Sequence, residues 1–111
     1  MTIDDKLKKP IYELQVLDQK LQNVLMQKHN IQTQLLEIEN ALIEIKDSNE
    51  TYKAIGNVII LKNKEELEKE LKSKKEIFDL KLGTLDKQEE KLKKDAEEIQ
   101  KEVMKLKNES K

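Results

Sequence analysis

No cysteine, tryptophan or arginine occurs among the 111 residues. Without cysteine there is neither a disulfide nor a thiolate metal site, and the redox compartment leaves no mark on the chain. Without arginine, the bidentate forks that read phosphates and base edges are missing, since all 22 basic residues are lysine. Net charge is only −1, so no bulk basic field draws the protein to nucleic acid or anionic lipid. Aromatic residues make up 3% against 41% charged residues, a balance that does not fill a globular core. It suits long helices with a narrow apolar seam. The longest apolar run is the four residues Val58-Ile59-Ile60-Leu61, far short of a transmembrane helix or a signal-peptide core, and the cytoplasm is the expected location.

Proline and glycine are scarce as well. The single proline, Pro10, fits best in the first turn of a helix, so a regular helix is expected to start near it, with residues 1–9 as a flexible tip, either frayed or helical with a kink. Thr2 and Asp5 nevertheless have capping-box spacing. One of the two glycines, Gly56, precedes Asn57 in Thr51-Tyr52-Lys53-Ala54-Ile55-Gly56-Asn57-Val58-Ile59-Ile60-Leu61-Lys62, the one stretch that does not read as helix. Two β-branched, apolar runs around a Gly-Asn pair predict a β-hairpin over residues 51–62. A lone hairpin is marginal in water, and apolar open edges call for another strand. The hairpin therefore reads as an assembly module. The alternative is a hairpin folded back onto its own helices, which leaves its edges open.

What the chain has in abundance is helical periodicity. Leu14, Leu17, Leu21, Val24, Lys28, Ile31, Leu35, Ile38, Leu42 and Ile45 fall at alternating steps of three and four, a seam over more than four heptads with one polar member. Leu7 and Ile3 stay in phase with it. Asp47-Ser48-Asn49 ends this first helix, placed at residues 1–47 with its tip. The second, at 63–111, starts at Asn63, with Glu66 in the capping-box position. It repeats Leu71, Phe78, Leu85, Leu92, Ile99 and Leu106 every seventh residue, with Lys75, Leu82, Glu89, Ala96 and Val103 between them. Gly83, just off this seam, costs about 1 kcal/mol against alanine. Leu67, Ile77 and Leu80 add apolar surface near the hairpin.

Two helices leaving one hairpin run back along each other. Leu42 with Leu71, Leu35 with Phe78, Lys28 with Leu85, Leu21 with Leu92, Leu14 with Ile99 and Leu7 with Leu106 share one constant sum of residue numbers. So do Ile38 with Lys75, Ile31 with Leu82, Val24 with Glu89 and Leu17 with Ala96. The expected fold is mainly α: one domain, a long antiparallel two-helix coiled coil joined by a central β-hairpin.

Catalytic chemistry finds no purchase in this pattern. His29, the only histidine, falls at a solvent-facing position beside Lys28. The carboxylates are spread among lysines as i, i+4 pairs. No phosphate loop, nucleophile elbow or metal-spaced cluster occurs, so a non-enzyme without cofactor or metal is expected. Lys75 and Glu89 read as register-setting charges in the seam. The candidate site is the free end of the helix pair, where Ile3, Leu7 and Ile11 meet Val103, Met104 and Leu106. Exposed apolar groups in a charged rim mark interaction surfaces, and methionine adapts to varied partners. Ordinary fraying of a helix end is the competing reading.

The hairpin Tyr52 to Ile60, with its tyrosine-lysine start and central glycine, resembles that of the β-type subunits of archaeal prefoldin, related to the β-class subunits of the eukaryotic complex. Gln27-Lys28, Asn40-Ala41-Leu42, Lys64-Glu65-Glu66-Leu67 and Gln88-Glu89-Glu90 are similar to family segments, and the likeness covers roughly residues 20 to 108. The chain departs from the pattern in a shorter linker from Ile45 to Tyr52 and a more charged N-terminus. The resemblance implies a chaperone subunit. Four such chains assemble with two α-type subunits through a β-barrel built from the hairpins, here Tyr52, Ile55, Gly56, Asn57, Val58, Ile59, Ile60 and Leu61. The helical tips hold unfolded polypeptides without nucleotide and pass them to a group II chaperonin. The alternative function is a structural spacer or adaptor, in which the helices set distance and the hairpin only oligomerises.

Overall fold

The structure is a computed structural model that describes residues 2–46, 51–55 and 58–109, with the backbone alone for the strands within 51–62. Helix α1 spans Ile3–Lys46, strand β1 Thr51–Ile55, strand β2 Val58–Lys62 and helix α2 Lys64–Glu109. The chain divides into two compact units. A terminal unit joins residues 1–28 to 84–111, and a central unit comprises residues 29–83.

The first helix starts earlier than its proline implies. Thr2 Oγ1 accepts the Asp5 N–H at 3.3 Å, and Asp5 Oδ2 accepts the Thr2 N–H at 3.3 Å and its hydroxyl at 2.9 Å. This reciprocal cap satisfies donors that a helix leaves open in its first turn, and Asp4 and Asp5 favour the positive end of the helix dipole. The expectation of a helix beginning near Pro10 is thus corrected: residues 3–9 are helical and Pro10 is buried inside α1. Proline forgoes the hydrogen bond to the carbonyl of Lys6. The cap and the burial of the ring offset that loss.

In the terminal unit, Leu7, Leu14, Leu17, Leu21 and Val24 of α1, and Leu85, Leu92, Ala96, Ile99, Val103 and Leu106 of α2, are buried or half-buried. Val24, Leu85 and Val103 are among the most enclosed. Leu14, Leu17 and Leu21 line one cleft with Leu92 and Ala96, while Lys28 meets Asp86 and Glu89. Rising numbers on α1 face falling numbers on α2, so the segments run antiparallel, with the stretches juxtaposed that the constant residue sum requires.

In the central unit, Leu35, Ile38 and Ile45 are buried, and Leu71, Phe78 and Leu82 of α2 are half-buried. Lys75 Nζ lies 3.9 Å from a Glu39 carboxylate oxygen across the seam. Lys64 Nζ donates to the Lys46 carbonyl at 2.9 Å, satisfying one of the carbonyls a helix end leaves open. At the start of α2, Asn63 Oδ1 accepts the Glu65 N–H at 2.8 Å, the capping role expected of that residue. β1 and β2 pair antiparallel with Thr51 opposite Lys62 and Ile55 opposite Val58. The Gly56-Asn57 turn and the Asp47-Ser48-Asn49 helix stop lie outside the described residues.

Candidate functional site

The six apolar residues expected at the free end divide by direction. Ile3, Leu7 and Leu106 lie on the seam and are half-buried. Val103 is buried, and the seam's residue sum places it opposite the buried Pro10. Ile11 and Met104 point outward, 41% and 58% exposed. The closed seam therefore leaves Val103 little surface to offer, whereas Ile11 and Met104 offer most of theirs. Met104 sits among Gln100, Lys101, Lys105 and Asn108 in a shallow groove on the face of α2.

A second groove of the terminal unit escaped the periodicity. Tyr12, Val16 and Leu17 on α1 face Ile99 on α2, and Glu13, Lys20, Asp95 and Glu98 rim them. On α1, Tyr12, Val16 and Lys20 recur at i, i+4 and i+8, which places them on one side of the helix. Tyr12 is 66% exposed. Seam reading ranks only positions that face the partner helix, so a flanking tyrosine passes as a surface residue. The i, i+4 spacing of Tyr12 and Val16 was the available signal.

Charges in the seam also find partners that residue sums alone do not reveal. Lys28 Nζ donates to Glu89 Oε1 at 3.0 Å and lies 2.8 Å from Asp86 Oδ1. The Lys28 and Glu89 side chains are only 19% and 13% exposed. Hydrogen bonds to Asp86 first, then to Glu89, hold the Lys28 ammonium above its usual pKa. Lys93, one turn along α2, lies 3.7 Å from Glu89 Oε2.

In the central unit, Ile38, Leu71, Ile77 and Phe78 share a groove with Lys74 and Lys81, and Lys81 Nζ stands 5.7 Å from the Phe78 ring centroid. Leu36 and Ile43 are exposed on α1. The side chains of Tyr52, Ile55, Val58, Ile59, Ile60 and Leu61, together with Gly56 and Asn57, lie outside the described residues. His29 is exposed, as its position beside the seam implies. Among the described residues there is no group of three or more His, Asp or Glu side chains placed to hold a metal ion. No described helix is long and apolar enough to cross a membrane.

A family described as "Prefoldin subunit" matches residues 8–110. The chain is 37% identical over 99 residues to the prefoldin subunit beta of Archaeoglobus fulgidus, covering 86% of this chain and 85% of that one. It is 34% identical over 107 residues to the prefoldin subunit beta of Sulfurisphaera tokodaii, covering 94% and 86%. The crystal structure of the prefoldin beta subunit from Thermococcus strain KS-1 superposes with a TM-score of 0.86 at 31% identity, over 94% of each chain.

Proposed function

The chain belongs to the prefoldin family, a family of non-enzymatic chaperones, and from that premise we propose that it is a subunit of an ATP-independent holdase. In this reading it joins α-type subunits in a hexamer of two α and four β chains in the cytoplasm. The hairpins close a β-barrel, the free helix ends hold unfolded polypeptides, and the clients pass to a group II chaperonin. The observation that carries the reading is a group of outward apolar side chains toward the free end of the terminal unit, Ile11, Tyr12 and Met104, beside a seam that is already closed. Each contributes about 1 to 2 kcal/mol when a client covers it. Such contacts are weak singly and add across several arms through effective concentration, which matches the task of holding and releasing varied chains.

The test is aggregation of a denatured enzyme with the purified assembly, in the absence of nucleotide. Suppression is expected, and deleting residues 1–9 and 103–111, which removes Met104 but keeps Ile11 and Tyr12, is expected to weaken it while the oligomer's mass falls only by the missing residues. An intact assembly that suppresses no aggregation returns the chain to the spacer role. A truncated assembly that protects as well as the full one moves the site off the helix ends.

A further inference from the structure

The side groove of the terminal unit has a chemistry that the seam and the opposite flank lack. Its floor is apolar, from Val16, Leu17 and Ile99, with the exposed Tyr12 ring at one end. Its rim carries three carboxylates, Glu13, Asp95 and Glu98, against one ammonium, Lys20. Among the described residues none of these three carboxylates has an ion-pair or hydrogen-bond partner beyond its own helix backbone. The opposite flank differs: there Asp18 accepts a hydrogen bond from Gln22 at 3.5 Å and Lys93 is drawn to Glu89 at 3.7 Å. The groove around Met104 is balanced, with Glu97 and Glu109 against Lys101 and Lys105.

Resting on the chaperone reading, we propose that this groove is a client-contact surface and that it selects unfolded segments in which lysine or arginine is interspersed with apolar residues. The physical case joins three contributions. The floor takes one or two apolar side chains out of water. The unpaired carboxylates meet the basic groups beside them, and like-charged clients are repelled from the same rim. The Tyr12 face adds a cation–π surface for the same basic groups. An acidic rim over an apolar floor therefore discriminates by the charge next to the greasy residue, a property that an apolar helix end does not supply.

Binding of short labelled unstructured peptides to the assembled protein, followed by fluorescence anisotropy, tests the proposal. Three probes carry the same leucines and phenylalanines and differ only in the residues between them: lysine, serine or glutamate. The lysine probe is expected to bind about tenfold more tightly than the glutamate probe at low salt, given three rim charges of modest individual worth. The gap closes at high salt as the rim is screened. The isosteric triple variant Glu13→Gln, Asp95→Asn, Glu98→Gln is expected to remove the preference, and Glu13→Lys with Glu98→Lys to invert it, with helicity by circular dichroism unchanged. Equal binding of all three probes, or a preference that survives both variants, overturns the proposal. Probes that fail to bind while aggregation is still suppressed overturn it too and leave the chaperone reading standing. Loss of both binding and suppression removes that reading as well.

Discussion

Lys28 of α1 and Glu89 of α2 form a two-point contact across the seam, with Nζ 3.0 Å from one carboxylate oxygen and 3.4 Å from the other. Each alone breaks an apolar seam. Together they neutralise each other one layer apart, and Asp86 at 2.8 Å completes the site. Charges placed this way select one register, because a slip by a heptad parts the two groups and leaves each among apolar seam residues.

A double-mutant cycle reads that coupling. Among the described residues, Lys28→Leu leaves the Glu89 carboxylate with Lys93 of its own helix alone, so the thermal midpoint is expected to fall by roughly 5 °C. Glu89→Leu is expected to cost less, since Asp86 still holds Lys28. The double substitution is expected to melt at or above the parent. Additive losses in thermal melts show that the pair is uncoupled.

The same pair predicts a pH dependence. The folded-state pKa of Lys28 is raised above 10.5, so its contribution is present in full below 10.5 and fades as the pH climbs through the folded value. The difference in melting temperature between the parent and Lys28→Leu is expected to stay constant from neutrality to 10.5 and to shrink above it. A difference that instead shrinks on acidification to mildly acid pH contradicts the assignment.

Gly83 is exposed in mid-helix, and a Cβ built on it has nothing within 4 Å. Gly83→Ala is expected to stabilise the fold by about 1 kcal/mol in urea titrations, through the backbone freedom that glycine loses on folding. An unchanged or lower midpoint shows that this turn of α2 needs the glycine for some other reason.

Leu21 and Leu92 line one cleft of the terminal unit. Cysteines at these two positions are expected to oxidise within one chain, giving a faster-migrating monomer on a non-reducing gel, because facing seam residues come within disulfide reach. Preferred crosslinking of Leu21 with a position a heptad away from Leu92 places the register elsewhere.

For the hairpin, Ile59→Lys with Leu61→Lys is expected to dissociate the assembly in native mass measurements while far-UV helicity is kept. Two added charges on β2 oppose burial against a neighbouring strand. An oligomer that keeps its mass puts the interface on another part of the chain.

The sequence by itself determined the seam and the caps. Leu14 to Ile45 and Leu71 to Leu106 fall on one face of a helix because every third or fourth residue does so, whatever the partner. Thr2 with Asp5, and Asn63 with Glu65, are local contacts within a few residues of chain. Only the tertiary structure decided the fate of Pro10, which local preference alone places at a helix start. Burial of the proline ring in the seam, added to the local cap at Thr2, carries α1 through it. The partners of Lys28 were likewise decided in three dimensions, since Glu89 lies 61 residues away and one layer along the seam. The acidic side groove arises the same way: Tyr12, Glu13, Asp95 and Glu98 come together only when α1 and α2 lie side by side. A period read along one helix says which residues face the other, and the neighbours of a flanking side chain belong to the second helix.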